Sequence, residues 1–160
     1  MGCGGGLPDW AFDYVWDEGI MKESDYPYID NSGACDEDYR KYVAQVTRYD
    51  DIAHLDPAKL KAGVAQHGPI SIGVGAGNTA WRNYQGGILD SPDCKPNLDH
   101  AVLLVGYGVE EGREYWIVKN SWSEDWGEQG YVRILISDGY GICGVNMTPI
   151  WATVKKLADF

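Results

Sequence analysis

The stretch HAVLLVGYGVEEGREYWIVKN, residues 100–120, decides the fold because it places two short apolar runs on either side of a turn. The runs AVLLV (101–105) and EYWIV (114–118) are rich in β-branched and aromatic residues, which is typical of strands. The segment GVEEGRE between them is typical of a hairpin connection. The sequence therefore predicts two antiparallel neighbours, with His100 entering the first strand and Asn120 following the second.

His100 on its own admits three roles: a hydrogen-bonded core residue at a strand end, a metal ligand, or a general base aimed into a cleft. A hairpin would lay EYWIV beside AVLLV, which brings the Asn120 side chain within reach of the imidazole. An amide oxygen that holds one ring nitrogen fixes the tautomer and leaves the other nitrogen for a nucleophile. The uncharged amide suits a cysteine, because a thiolate and an imidazolium already form an ion pair. Trp122 is placed to cover this hydrogen bond and to keep water from competing for it.

Two helices are predicted before these strands. LPDWAFDYVWDEGI predicts a helix that begins near Pro8 and ends at Gly19, with its aromatic residues in the core. Residues 21–40 are expected to form a long loop. HLDPAKLKAGVAQHGP predicts the best-defined helix, with Asp56 as its N-cap and Gly68 at its end.

Two more apolar runs, ISIGV (70–74) and YVRILI (131–136), are also predicted as strands. Residues 50–160 are therefore predicted to form a small antiparallel sheet or barrel that one helix covers.

Composition excludes several classes of protein. The 160 residues, 44% of them hydrophobic, are enough for one domain, or for one and part of another, with a sizeable core. The formal net charge of −11 argues against nucleic-acid and anionic-membrane partners, which need clustered Lys and Arg. No run is long enough to cross a bilayer, and MGCGGGLPDW lacks the features of a signal peptide. Because glycines around a cysteine belong to an ordered turn, we expect the chain to begin inside a larger domain.

Four cysteines are present, at Cys3, Cys35, Cys94 and Cys143. Their spacings match no zinc signature, so neither a metal nor a cofactor is expected, and disulfides in an oxidising compartment are favoured. The tripeptide NMT at Asn146 matches the glycosylation sequon, but we expect it to be a false match.

Several motifs together resemble the papain-like cysteine proteases, particularly their cathepsin L-like branch. LDHAVLLVGYG and YWIVKNSWSEDWGEQGYVRI resemble the histidine and asparagine motifs of that family, and GCGGGLPDWAF with SDYPYID resembles its glycine-rich substrate segment and the following loop. The resemblance implies an α+β, papain-like fold. Residues 1–49 would be a remnant of its helical left domain, and residues 50–160 its antiparallel, β-barrel-like right domain.

The resemblance also implies roles for individual residues. His100 would be the general base, Asn120 its orienter, and Trp122 the shield that also lines a leaving-group subsite. Gly5 and Gly6 would hydrogen-bond an extended peptide by strand addition. The pocket for the substrate side chain two residues before the cut would be apolar and would be lined by Leu7, Pro8, Gly73, Ala101 and Thr148. Among the cysteines, Cys94 would pair with Cys143, whereas Cys3 and Cys35 resemble cysteines whose partners lie upstream.

The expected nucleophile is not in these residues. In this family a C-G-[SA]-C-[WY] segment precedes the histidine and asparagine by about 130–150 residues, which would place it upstream of Met1. Cys3 lies only 97 residues ahead of His100, in the different setting GCGGGL. Two positions also depart from the usual motifs: Gly4 stands where asparagine is common, and Ser123 follows NSW where glycine is usual. We therefore expect a C-terminal fragment that is inactive alone, and the alternative is a pseudoprotease that acts as a binding or regulatory module.

The resemblance implies partners and a compartment as well. The substrates would be peptides or proteins, and cystatin-like proteins or propeptides would be inhibitors. The expected compartment is lysosomal, vacuolar or extracellular.

Overall fold

The computed structural model describes residues 4–157, which divide into two compact units. The first unit holds the residues up to Asp50 together with those from Ala152 onward, and the second spans Asp51–Trp151. The helices are α1 (Pro8–Asp17), α2 (Pro57–His67) and α3 (Thr79–Arg82). The strands are β1 (Ile20–Met21), β2 (Tyr42–Asp51), β3 (Ile70–Val74), β4 (Ile88–Leu89), β5 (His100–Glu110), β6 (Arg113–Lys119), β7 (Tyr131–Leu135) and β8 (Ile150–Lys156). This mixture of few helices and eight strands confirms the α+β class.

In the first unit, α1 begins at the predicted Pro8, whose fixed φ and missing N–H suit the first helical position. Strand β1 pairs with β2 in antiparallel fashion, with Ile20 opposite Ala44. The other side of β2 receives β8, where the Thr47 hydroxyl donates to the Thr153 carbonyl at 3.2 Å. The region 21–40, predicted as a loop, has no strand beyond Met21 and ends in a short 3-10 turn at Tyr39–Lys41.

The aromatic residues of α1 are not in a core, and that prediction was wrong. No residue of α1 is buried, and the exposed fraction is 50% for Trp10, 44% for Tyr14 and 45% for Trp16. The helical spacing of Ala11, Tyr14 and Val15 gives an apolar face, but such a face is buried only where another element covers it, and Trp10 and Trp16 point in other directions around the helix. Within this unit the described contacts of these aromatic residues are few: the Tyr14 hydroxyl donates to Glu37, and the Trp16 ring lies 6.0 Å from that of Tyr49.

The second unit is built on a sheet with the order β3-β5-β6-β7-β4. Its neighbours are antiparallel except β4, which runs parallel to β7. At the outer side of β3, Ile150 at the start of β8 pairs with Ser71. The predicted strands 70–74, 101–105, 114–118 and 131–136 are all confirmed. The innermost side chains are fully buried and come from most of these elements: Leu60, Ile70, Ile72, Trp81, Leu104, Trp116, Val118, Val132 and Ile134.

Helix α2 lies where it was predicted and packs against this sheet. The Asp56 carboxylate accepts a hydrogen bond from the Lys59 N–H at 2.9 Å, which confirms Asp56 as the N-cap. Gly68 ends the helix with φ at 82°, a left-handed conformation that glycine adopts without steric cost. Leu60 and Val64 are buried on the inner face.

The implied disulfide is present: Cys94 and Cys143 are bonded, with their Cα atoms 4.6 Å apart. The Cys143 N–H also donates to the Cys94 carbonyl at 2.9 Å. Cys35 is a free, exposed thiol in the first unit, and Cys3 lies outside the described residues. Between residues 4 and 157 we find neither a helix long and apolar enough to span a membrane nor a cluster of three potential metal ligands.

Candidate active site

His100 and Asn120 occupy the open end of the hairpin formed by β5 and β6. The pairs Leu103–Lys119 and Leu104–Val118 continue as Gly106–Ile117, so that β5 has one residue, Val105, without an opposite partner. Such an extra residue is a β-bulge. Continuing the register by one residue beyond Lys119 sets Asn120 opposite Val102. Since residues i and i+2 of a strand share a face, His100 and Asn120 project to the same side.

The two side chains meet directly. The Nε2 atom of His100 lies 2.8 Å from the Oδ1 atom of Asn120. Because an amide oxygen only accepts, Nε2 must carry the hydrogen, and Nδ1 is then the nitrogen that can take up a proton. Of the groups in residues 4–157, none hydrogen-bonds to Nδ1. The sequence thus correctly predicted that this pair could form.

The Asn120 side chain is held firmly. The residue is 8% exposed, its backbone N–H donates to the Gly130 carbonyl at 2.9 Å, and its Oδ1 also accepts from the Ser121 N–H at 2.8 Å. Its Nδ2 atom is buried and has no hydrogen-bond partner among the described residues. The Asn120 oxygen thus makes two hydrogen bonds while its nitrogen makes none within the described residues. The amide is therefore oriented to hold the histidine, at the cost of an unsatisfied N–H group.

Aromatic rings surround the imidazole. The Trp122 ring lies 5.3 Å from the His100 ring, and the Trp81 ring meets the His100 ring edge-on at 6.3 Å. Trp126 joins them, 5.4 Å from Trp81 and 5.7 Å from Trp122. Trp81 is fully buried and Trp126 nearly so, whereas Trp122 is 38% exposed. The site is therefore apolar around the ring and open on the Trp122 side.

Trp81 and Trp126 were not among the predicted site residues. Trp81 lies in the four-residue helix α3, and Trp126 lies in the loop between β6 and β7. Neither position belongs to a periodic apolar pattern. Trp126 lies within the motif YWIVKNSWSEDWGEQGYVRI without having been given a role, and for Trp81 the signal was the abundance of tryptophan, seven in 160 residues.

Asp99, beside the histidine, has a structural role. Its carboxylate accepts a hydrogen bond from the Ala76 N–H at 2.7 Å, and its own N–H donates to the Val74 carbonyl at 3.0 Å. These bonds join the end of β3 to the start of β5, where Val74 pairs with His100. Asp99 therefore fixes the backbone that carries the imidazole.

Three of the predicted pocket residues lie together next to His100. Gly73 pairs with Ala101 across β3 and β5, and the Gly73 N–H donates to the Thr148 hydroxyl at 3.2 Å. A methyl group at position 73 would come within 2.8 Å of that hydroxyl and within 3.1 Å of Leu98. Leu98, which the sequence argument did not single out, therefore belongs to the same surface. A shallow cavity of about 320 Å³ borders Ala101, Leu103 and Lys119, but Gly73 and Thr148 do not line it.

The other predicted substrate residues lie in the first unit. Gly5 has φ at 88° with open space around it, and Gly6 is likewise uncrowded. Leu7 is 51% exposed and forms the extended N-cap of α1, and Pro8 is the first residue of that helix. Their main chain is accessible, as strand addition to a peptide requires.

Two further sequence features have clear outcomes. Ser123 has φ at 73°, so the turn after Trp122 does need the left-handed conformation that glycine adopts more easily. Asn146, the sequon asparagine, is 1% exposed, and its amide donates to the Ser137 and Gly139 carbonyls at 2.9 and 3.0 Å. A side chain so enclosed cannot carry a glycan in this fold.

Comparison with known proteins yields relatives of one kind. The sequence model described as "Papain family cysteine protease" matches residues 1–153. Cysteine proteinase RD21A of Arabidopsis thaliana is 44% identical over 153 residues, which are 92% of this chain and 32% of that protein. Cathepsin S of Rattus norvegicus is 40% identical over 145 residues, 90% of this chain and 44% of that protein. The chain thus spans a third to less than half of these curated relatives.

Solved structures agree with the sequence matches. Bromelain from Ananas comosus, in complex with the E64 inhibitor, superposes with a TM-score of 0.87 at 33% identity, covering 96% of this chain and 72% of that one. Digestive procathepsin L 3 from the larval midgut of Tenebrio molitor gives a TM-score of 0.89 at 38% identity, covering 95% of this chain and 50% of that one.

Proposed function

Because this chain belongs to the papain family of cysteine proteases, we propose that it carries the general-base half of a cysteine peptidase active site. The observation that carries the proposal is the 2.8 Å contact between His100 Nε2 and Asn120 Oδ1. A histidine oriented in this way by a neutral amide suits an imidazolium–thiolate ion pair. The reaction of cysteine proteases is the hydrolysis of peptide bonds.

In the proposed mechanism Asn120 keeps the hydrogen on Nε2, so that Nδ1 of His100 takes the proton of a cysteine thiol. The thiolate attacks the peptide carbonyl carbon, and the imidazolium returns the proton to the leaving amine as the C–N bond breaks. A water molecule then gives its proton to His100 and cleaves the thioester, which releases the acid and restores the thiol. The tryptophans around the ring support this role, since they exclude water that would compete for the His100–Asn120 bond.

The thiol is proposed to come from a C-G-[SA]-C-[WY] segment outside these 160 residues. Two of the chain's cysteines, Cys94 and Cys143, are engaged with each other, and Cys35 is exposed in the first unit. None of the four stands in that signature. We therefore propose that residues 1–160 alone do not hydrolyse peptides.

The substrate would bind along two sets of residues. Gly5 and Gly6 are proposed to pair with an extended peptide backbone, and Trp122 to line a leaving-group subsite. The pocket for the side chain two residues before the cut would be lined by Leu7, Pro8, Gly73, Ala101 and Thr148. Since none of these five residues carries a charge, a hydrophobic residue is expected in the proposed pocket.

Peptides and proteins are the proposed substrates, and cystatin-like proteins or propeptides the proposed inhibitors. A lysosomal, vacuolar or extracellular compartment is proposed, because disulfides such as Cys94–Cys143 form and persist outside the reducing cytosol.

Labelling with a thiol-directed peptide epoxide tests the proposal against the pseudoprotease alternative. In the protein expressed from its complete reading frame, we expect one label, on a cysteine within a C-G-[SA]-C-[WY] segment, that is lost in His100→Ala. The 160-residue chain should take no site-specific label. Specific labelling of Cys3 or Cys35 would refute the proposed division of the site by revealing a nucleophile inside the chain. A reading frame with no such segment would favour a binding module.

A further inference from the structure

Asn120 is fixed by its backbone as well as by its side chain, and the backbone contact leads away from the histidine. Its N–H donates to the carbonyl of Gly130 at 2.9 Å, and Gly130 belongs to the tight turn Glu128–Tyr131. In this turn the Glu128 and Tyr131 main chains exchange hydrogen bonds of 2.9 and 3.1 Å. The position of Asn120 therefore depends on where this turn is held.

The turn is not held by the conformational preference of its own residues. Gln129 has φ at 54° and Gly130 φ at 86°, so that both central residues are left-handed, as in two-residue hairpin turns. Gly130 adopts this conformation freely, but glutamine has a side chain that disfavours it. Contacts from outside the turn must keep Gln129 there.

An ion pair supplies those contacts. Glu128 accepts two parallel hydrogen bonds from Arg133, from Nε at 2.9 Å and from Nη2 at 2.9 Å. One Glu128 oxygen also accepts the Gly87 N–H at 2.8 Å, just before β4. Arg133 is on β7, its third nitrogen donates to Glu110 on β5, and its guanidinium lies 5.1 Å from the Tyr115 ring. The side chains of Arg133 and Glu128 are only 21% and 32% exposed.

The pair therefore ties the turn to three strands of the sheet. Tyr84 completes the connection: its hydroxyl donates to the Gly87 carbonyl at 2.6 Å and accepts from the Arg133 N–H at 3.2 Å. Two parallel hydrogen bonds from one guanidinium, here called the fork, fix the orientation of the Glu128 carboxylate as well as its distance from Arg133. A single charge such as that of a lysine fixes only the distance.

From this geometry we propose that Glu128 and Arg133 are a positioning pair for Asn120, and through Asn120 for the His100 imidazole. Neither residue touches the imidazole; they act by holding the Gly130 carbonyl that receives the Asn120 N–H. The role in a reaction rests on the proposed peptidase function, but the positioning itself is a property of the chain and can be measured without catalysis.

The chain offers a matched control for this pair. Arg113 on β6 donates to Asp90 at 2.8 Å, which is also an arginine–carboxylate pair that links a strand to the segment after β4. It has no hydrogen bond to the turn, so Arg113→Gln removes an ion pair of the same chemical kind, although a more exposed one with a single hydrogen bond, without touching the support of Asn120.

The experiment compares Arg133→Gln, Arg133→Lys, Glu128→Gln and Arg113→Gln in the 160-residue chain by nitrogen-15 NMR and amide hydrogen exchange. At a pH where the imidazole is neutral, we expect one His100 tautomer, with the hydrogen on Nε2, in the wild type and in Arg113→Gln. We expect a mixture of tautomers in Arg133→Gln, together with exchange of the Asn120 N–H faster by about tenfold, the effect of losing one charge-assisted hydrogen bond. Arg133→Lys, which keeps the charge but not the fork, should behave like Arg133→Gln.

The buried Val118 amide in β6 separates positioning from general stability. If the Asn120 and Val118 amides accelerate by the same factor, or if the single tautomer persists in a folded variant, the pair is only structural and the proposal is overturned. Should Arg133→Gln not fold, Arg133→Lys and Glu128→Gln decide by the same two readouts. Because no readout involves peptide hydrolysis, failure here leaves the epoxide labelling untouched, and failure of that labelling leaves this result intact.

Discussion

His100 and Asn120 share one face of the sheet because Val105 is an extra residue in β5 without a partner in β6. If the pairing of Gly106 with Ile117 continued without this bulge, Asn120 would stand opposite Leu103, on the other face from the imidazole. A shift of one residue in a strand exchanges its two faces. The bulge is therefore what allows the Nε2–Oδ1 contact of 2.8 Å.

The turn after Trp122 should be relaxed by Ser123→Gly. Because Ser123 has φ at 73°, we expect the substitution to raise the free energy of unfolding by about 1 kcal/mol, the cost of a left-handed non-glycine residue. Urea unfolding of both proteins measures this. Ser121→Gly is the control, since Ser121 is not among the left-handed residues, and it should be neutral or destabilising. Equal effects of the two substitutions would contradict the strain at Ser123.

Gly73→Ala should crowd the predicted substrate pocket. The new methyl group would lie 2.8 Å from the Thr148 hydroxyl and 3.1 Å from Leu98, so we expect a loss of about 1–2 kcal/mol in the free energy of unfolding. In a Thr148→Ala background the hydroxyl is gone, and the same substitution should cost about 1 kcal/mol less. A double-mutant cycle in urea gives this difference, and strict additivity would show that the two residues do not collide.

The Cys94–Cys143 disulfide should contribute strongly to stability. It closes a loop with a sequence separation of 49, for which the entropy lost by the unfolded chain corresponds to roughly 4 kcal/mol. We expect Cys94→Ala with Cys143→Ala to lower the free energy of unfolding by most of that amount. Cys35→Ala, at an exposed free thiol, should leave it unchanged. A double variant as stable as the wild type would indicate that the bond constrains little.

Acid should weaken the Glu128–Arg133 pair. The hydrogen bonds from Arg133 lower the pKa of Glu128 below its ordinary value of 4.5, against the smaller opposing effect of burial. A carboxylate with a lowered pKa in the folded state stabilises the fold fully above its ordinary value, and this contribution is lost as pH falls through the lowered value.

The free energy of unfolding measured against pH tests this sign. At neutral pH we expect Glu128→Gln to be roughly 1 kcal/mol less stable than the wild type, a value discounted for partial exposure. The difference should shrink as pH falls below the ordinary value of 4.5. Glu124→Gln, at an exposed position in the same loop, serves as the control with an unchanged profile. A difference that grew towards low pH would contradict the assignment.

The sequence predicts the elements whose stabilising contacts are local. The hairpin of β5 and β6 is marked by its turn, and α2 by the Asp56 cap and Gly68. The approach of Asn120 to His100 was predicted from the hairpin, but the direct contact also needs the bulge at Val105. The bulge at Val105 was not predicted, since nothing in AVLLVGYG distinguishes a residue without a partner from a paired one.

Strands β2 and β8 were missed because their alternating apolar residues are few and are mixed with polar and charged ones: Tyr42, Ala44 and Val46 in β2, and Ile150, Ala152 and Val154 in β8. In β2 the segment YVAQVTRYDD has only Tyr42 and Val46 buried, and in β8 only Ile150 is buried. Such strands form through backbone pairing with each other, which is a long-range property. The exposure of Trp10 and Trp16 was missed for a similar reason, because a helical pattern does not reveal which of its faces another element covers.

The claim that His100 is the general base of a cysteine peptidase is tested most directly by kcat/KM for a peptide with a hydrophobic residue two positions before the cut. The protein is expressed from its complete reading frame, with His100→Ala compared to His54→Ala, an exposed histidine beside Asp51. We predict that His100→Ala lowers kcat/KM by about 10³-fold or more, and that His54→Ala changes it less than about twofold. A His100→Ala protein that kept about a tenth or more of the wild-type kcat/KM would contradict the account.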